Sequence, residues 1–109
     1  MRRGEIWTVS GGPDYLGKPR PVLILQSNSF EGLGSVTICP FTSDETEAPL
    51  LRLVITPTPS NGLREISRLM IDKVTTVPNS KLGAHIGHMS DDDMLRLNRS
   101  LMVFLGLTD

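Results

Sequence analysis

Few side chains in this sequence are placed for chemistry, and they form no familiar catalytic set. Arg20 lies between Pro19 and Pro21, which fix the backbone on both sides of a forked, permanently charged guanidinium. Thr42 follows Pro40-Phe41 and precedes Ser43. His85 and His88 are the only side chains whose ordinary pKa lies near neutrality. They could serve as general acid and base, bind metal with a third ligand, or simply be exposed histidines in a Gly-rich loop. Cys39 is alone, with no second thiol for a disulfide or a metal site, and reads as a small buried hydrophobe in a strand. There is no Gly-rich phosphate loop, HExxH, CxxC or serine elbow.

The carboxylates add little. Asp91-Asp92-Asp93 is explained by helix capping, and Asp44, Glu45 and Glu47 read as a solvated loop. A two-metal nuclease needs carboxylates converging from separate elements, and no spacing here demands that. A nuclease built on this sequence is therefore expected to work without metal. RNA permits this, because the 2′-hydroxyl beside each phosphate is an internal nucleophile. The protein must then position that hydroxyl, offset charge on the transition state and assist proton transfer. Arg suits the second task; its pKa above about 12 makes it a poor proton donor. By type alone, Arg20 reads first as a surface arginine entering a strand, and Thr42 as a turn residue after Pro40.

The elements that must hold these residues are mostly short strands. Ile6-Trp7-Val9 is closed by Ser10-Gly11-Gly12-Pro13, and Trp7 is expected in the core or a dimer interface. Pro21 to Leu25 is a continuous apolar run, predicting a strand buried on both faces. Ser35 to Cys39 is a third strand, stopped by Pro40 or placed by it at an edge. Leu51 to Ile55 is a fourth, followed by a turn-rich segment from Thr56 to Gly62. Leu69 to Val77 predicts a long fifth strand that bends near Asp72. Helical period appears only at the end. Ser90 and Asp93 match a capping box, Met94, Leu97, Leu101 and Phe104 recur at helical spacing, and Gly106 is a fitting stop. Five strands and a terminal helix predict a strongly bent β-barrel of the α+β class.

With 109 residues, the chain suits one domain, residues 1–109. Its longest apolar runs fall far short of the roughly 18 residues that span a bilayer, and no signal peptide is visible, so a cytoplasmic location is expected. The net charge of −1 does not favour phosphate binding. The charge is uneven, however: Arg2, Arg3, Lys18 and Arg20 face only Glu5 and Asp14 within the first 25 residues. A local basic face remains open, in which Arg2 and Arg3 touch phosphate or merely solvate the terminus.

Four ordered blocks add a further signal. They are Arg3-Gly4-Glu5-Ile6-Trp7, Gly17-Lys18-Pro19-Arg20-Pro21-Val22-Leu23-Ile24, Pro40-Phe41-Thr42-Ser43 and Ile71-Asp72-Lys73-Val74-Thr75-Thr76-Val77. Together they closely resemble the signature blocks of the MazF/PemK toxin endoribonucleases. The resemblance implies an SH3-like barrel of five to seven strands with a C-terminal α-helix. It implies a homodimeric toxin of a type II toxin–antitoxin system that cuts single-stranded RNA, independently of the ribosome, at short sequences. Products would be a 2′,3′-cyclic phosphate and a 5′-hydroxyl, with no cofactor. It puts catalysis on Arg20 and Thr42, support on Asp72 and Ser43, and RNA contacts on Lys18, Pro21, Arg3 and Tyr15. Asp72 is otherwise a structural residue at a bend, and Met70 stands where some relatives carry an Arg that would partner it. Tyr15 could stack on a base or pack on its own barrel. The implied partner is a cognate antitoxin whose flexible acidic segment covers Arg20.

Two other readings compete. A CcdB-like gyrase poison has the same barrel, but such chains end in Trp-Gly-Ile and this one ends Gly106-Leu107-Thr108-Asp109. A non-catalytic RNA-binding barrel is disfavoured by the negative charge and scarce aromatics.

Overall fold

The computed structural model describes residues 1–10 and 18–108. These contain seven strands and one α-helix: β1 (Glu5–Val9), β2 (Arg20–Ile24), β3 (Ser35–Thr42), β4 (Arg52–Ile55), β5 (Ser67–Met70), β6 (Thr75–Pro78), β7 (Leu82–His88) and α1 (Asp91–Phe104). All pairings are antiparallel, in the order β4-β5-β3-β2-β1-β7, with β6 also on β3.

Side chains alternate across a strand, so one apolar strand can serve two cores. β2 and β3 do this. Leu23, Cys39 and Phe41 enter the main core with Ile6, Ile55 and Leu69, whereas Val22, Ile24, Val36 and Ile38 form a second cluster beneath Trp7, Val9 and Val77. The expected burial of β2 on both faces is thus observed. In β4, Leu53 and Ile55 turn inward while Arg52 and Val54 turn out.

Pro40 does not end β3, contrary to expectation. Along its second flank β3 pairs with β6 from Ser35 to Ile38 and with β5 at Phe41 and Thr42. Pro40 falls between these two ladders, where its missing N–H interrupts neither. The anticipated fifth strand is likewise two strands, β5 and β6, separated by a 3-10 turn over Ile71–Lys73. That turn is the bend expected near Asp72.

Residues 82–88, expected as a loop holding both histidines, are strand β7 paired with β1. Glycine hid this strand, and close packing requires glycine there. A Cβ on Gly87 would lie 2.4 Å from the Asn61 carbonyl, and one on Gly83 would lie 2.6 Å from Thr8 Oγ1. β4, β6 and β7 each pair along one flank alone, so among the described residues strand pairing does not close the barrel between β7 and β4. The connection after β4 fills the gap. The His88 N–H donates to the Ser60 carbonyl at 2.9 Å. Buried Asn61 fixes this turn, accepting from the Thr58 and Leu63 amides at 3.0 Å each and donating to the Thr56 carbonyl at 2.9 Å.

Ser90 caps α1, its hydroxyl accepting from the Asp93 amide at 3.1 Å, and Gly106 (φ +72°) ends it. Leu97 is buried in the main core, flanked by Met94 and Leu101. Phe104, expected on the same face, is exposed, as are Leu95, Met102, Val103 and Leu105. The helix outlasts the core it packs on.

Candidate active site

Arg20 and Thr42 share one face of the sheet through their position in the strands. β2 pairs with β3 as Val22 with Pro40, Leu23 with Cys39 and Ile24 with Ile38. Continuing that register by two residues brings Arg20 level with Thr42. Both even-numbered residues belong to the face of Val22 and Ile38, away from the main core. They line one depression of about 280 Å³ whose other walls include Val9, Ser10, Met70 and Thr75. A guanidinium, hydroxyls and an apolar floor therefore meet in a single concave site, which suits an anionic group carrying a flat apolar neighbour.

Thr42 is the last residue of β3, and the chain turns just beyond it. The Asp44 amide donates to Thr42 Oγ1 at 3.1 Å. The Asp44 carboxylate accepts from the Thr46 hydroxyl at 2.7 Å and the Thr46 amide at 2.9 Å. These bonds, the hydroxyl's first, hold its pKa below the ordinary carboxylate value. Arg68 of β5, the cross-strand partner of Thr42, donates to the Asp44 carbonyl at 3.2 Å. Its second amino group lies 3.7 Å from Glu47. Nothing in the sequence marked Arg68 or Asp44, because their relation to Thr42 arises from strand register.

The other anticipated residues lie at varied distances from this depression. Lys18 is exposed just ahead of β2, and Ser43 is exposed beside Thr42. Pro21 is half-buried opposite Thr8, outside the lining. Tyr15 lies outside the described residues. Arg3 is engaged elsewhere: its Nε donates to the Leu25 carbonyl and its Nη2 to Asn98, both at 2.7 Å, tying α1 to the end of β2. Asp72 does not line the depression either. Its carboxylate accepts from Arg52 of β4 and lies 3.3 Å from Lys73 Nζ. The charge that seemed absent at position 70 is thus supplied by position 52, a strand away.

The histidines form no pair with the depression. His85 stacks on Trp7 with ring centroids 5.2 Å apart, and its Nε2 lies 3.8 Å from Glu5. Glu5 also accepts from the Trp7 indole at 3.0 Å and the Arg2 amide at 2.9 Å. Burial acts to raise the Glu5 pKa, but the Arg2 amide, the Trp7 indole and nearby His85 outweigh it and the net shift is downward. Trp7 is accordingly a half-buried strand residue whose ring covers the second cluster. Among the described residues, no three His, Cys, Asp or Glu side chains gather closely enough to hold a metal ion.

The profile of the PemK-like, MazF-like toxins of type II toxin–antitoxin systems matches residues 2–105. This chain belongs to that family. It is 54% identical over 107 residues to a probable endoribonuclease MazF of Mycolicibacterium smegmatis, with 98% of each chain covered. Among solved structures, the Mycobacterium tuberculosis toxin MazF-mt6 superposes with a TM-score of 0.80 at 25% identity, covering 96% of this chain and 99% of that one. An endoribonuclease bound to its cognate antitoxin, from a mycobacterial species, shares the fold with a TM-score of 0.81 at 22% identity, covering 100% of this chain and 98% of that one. Family membership agrees with the strand order, the bent sheet and the single terminal helix described above.

Proposed function

We propose that this chain is the endoribonuclease toxin of a type II toxin–antitoxin pair and cuts single-stranded RNA in the depression between β2 and β3. The observation that carries the reading is the presence of Arg20 and Thr42, from separate strands, on the walls of one concave site. RNA brings its own nucleophile there. The 2′-oxygen forms a bond to phosphorus as the bond from phosphorus to the 5′-oxygen breaks. The 2′-hydroxyl loses its proton, and the departing 5′-oxygen gains one. The Arg20 guanidinium offsets the charge that builds on the phosphoryl oxygens, and the Thr42 hydroxyl donates to one of them. The products are a 2′,3′-cyclic phosphate and a 5′-hydroxyl.

No metal has a task in this scheme. Asp72, ion-paired with Arg52 in the turn beyond β5, supports the site through the adjoining strand end that carries Met70. The partners are an antitoxin whose acidic segment lies over Arg20 and a second copy of the chain. The apolar residues that α1 leaves exposed, among them Met102, Val103 and Leu105, support self-association. The work is carried out in the cytoplasm.

Incubation with a long single-stranded RNA in EDTA, followed by mapping of the new ends, tests the reading. Cuts at a short recurring sequence with cyclic phosphate ends are expected; RNA left whole, or cut only on adding a divalent ion, would refute it.

A further inference from the structure

The exposed loop after β3 is tied down more firmly than its solvent exposure requires, and the ties converge on one hydroxyl. Thr42 Oγ1 accepts the Asp44 N–H at 3.1 Å. A threonine hydroxyl has one donor and two acceptor positions. With one acceptor position filled from the loop side, the O–H is confined to the two remaining positions of a hydroxyl that lines the depression. Asp44 is itself held by three hydrogen bonds from two residues. Its carboxylate takes both Thr46 donors, and its carbonyl accepts from Arg68. Arg68 stands directly across the ladder from Thr42, its side chain only 13% exposed, so its reach to the loop is fixed by β5.

We propose that Arg68 and Asp44 are positioning residues that orient the Thr42 hydroxyl toward the scissile phosphate. The inference rests on the reading of the Arg20–Thr42 depression as the cleavage site. Arg68 does not line that depression; it belongs to a neighbouring hollow with Arg52 and Arg96. Its effect on cleavage is therefore exerted through the Asp44 backbone, whose carbonyl it holds while the N–H of the same residue meets Thr42. Such a role leaves RNA binding unchanged and lowers the chemical step. A direct phosphate contact by Arg68 would do the reverse, raising KM and flattening the salt dependence.

A double-mutant cycle on RNA cleavage, paired with amide exchange in the RNA-free protein, tests this. Arg68→Met keeps the aliphatic stem and removes the donors. It is expected to lower kcat about tenfold with KM unchanged, the scale of one lost hydrogen bond. Arg68→Lys should recover part of the loss. In a Thr42→Val background, Arg68→Met should cost nothing further. Amide exchange at Asp44 should be several-fold faster than wild type in both single variants. Equal losses with and without the Thr42 hydroxyl, or a KM effect alone, overturn the inference, as does unaltered Asp44 exchange. Wild-type protein that leaves RNA whole overturns the cleavage reading instead, and exchange alone then decides whether Arg68 holds the hydroxyl.

Discussion

The Arg52 guanidinium of β4 donates to the Asp72 carboxylate in the turn just beyond β5, with each side chain about one-fifth exposed. The Arg52 hydrogen bond outweighs burial, which alone would raise it, and holds the Asp72 carboxyl below its ordinary pKa. A depressed folded-state pKa contributes stability that is complete above the unfolded value and is lost as pH falls through the folded one. Asp72→Asn should therefore lower Tm at neutral pH, and its deficit against wild type should shrink on acidification below the ordinary aspartate range. Thermal unfolding followed by circular dichroism over a pH series measures this. A deficit that stays constant with pH would show that the charge is not what matters.

Arg20→Ala should reduce RNA cleavage by roughly 10²–10³-fold, the usual cost of losing one donor aimed at a charged transition state. The Arg20 side chain is exposed at the start of β2, so unfolding midpoints should barely move. Single-turnover cleavage and denaturant unfolding of the same preparation separate the two effects. An alanine variant as active as wild type would remove Arg20 from the mechanism.

Gly87→Ala reverses the usual sign of a glycine replacement. Where space allows, alanine stabilises by about 0.4–1 kcal/mol through the unfolded chain. Here the new Cβ would lie 2.4 Å from backbone atoms of Asn61 and 2.5 Å from the Ser60 carbonyl. Forced displacement of packed backbone should cost about 1–3 kcal/mol, read from urea unfolding. A neutral or stabilising result would mean that the turn over Ser60–Gly62 gives way readily.

Cys39 should be inert in the folded protein. It is fully buried, and burial together with the nearby Asp72 charge pushes its thiol up to about 12. Reaction with a disulfide reagent at neutral pH should be roughly 10³-fold slower than for an exposed thiol, and should become fast in guanidinium. Comparable rates in native and denatured protein would contradict the packing of β3 against the main core.

Much of this arrangement is legible in the sequence. The apolar run of β2 and the capping residues of α1 carry local signals that tertiary structure did not override, and the two residues picked out as catalytic, Arg20 and Thr42, line one depression. What escaped was set by register. The Arg52–Asp72 and Arg68–Asp44 contacts join residues 20 and 24 positions apart, and only the pairing of β3, β4 and β5 brings them together. β7 escaped for another reason. Its glycines lower strand propensity, but they answer to the Thr8 hydroxyl and the Asn61 backbone, which a linear reading cannot place beside them. Pro40 misled in the same way, since only the exchange of partners on that flank of β3 gives a mid-strand proline room.

The pairing of β1 with β7 bears on how the protein comes into being. The first strand accepts the last, and Arg3 reaches Asn98 on the helix beyond it. A chain emerging from the ribosome cannot finish this sheet until residue 88 is free, nor seat α1 until later still. The depression that holds Arg20 and Thr42 takes its shape from that same sheet. The site would then be assembled only after residues 82–104 have been made, however early β2 and β3 emerge.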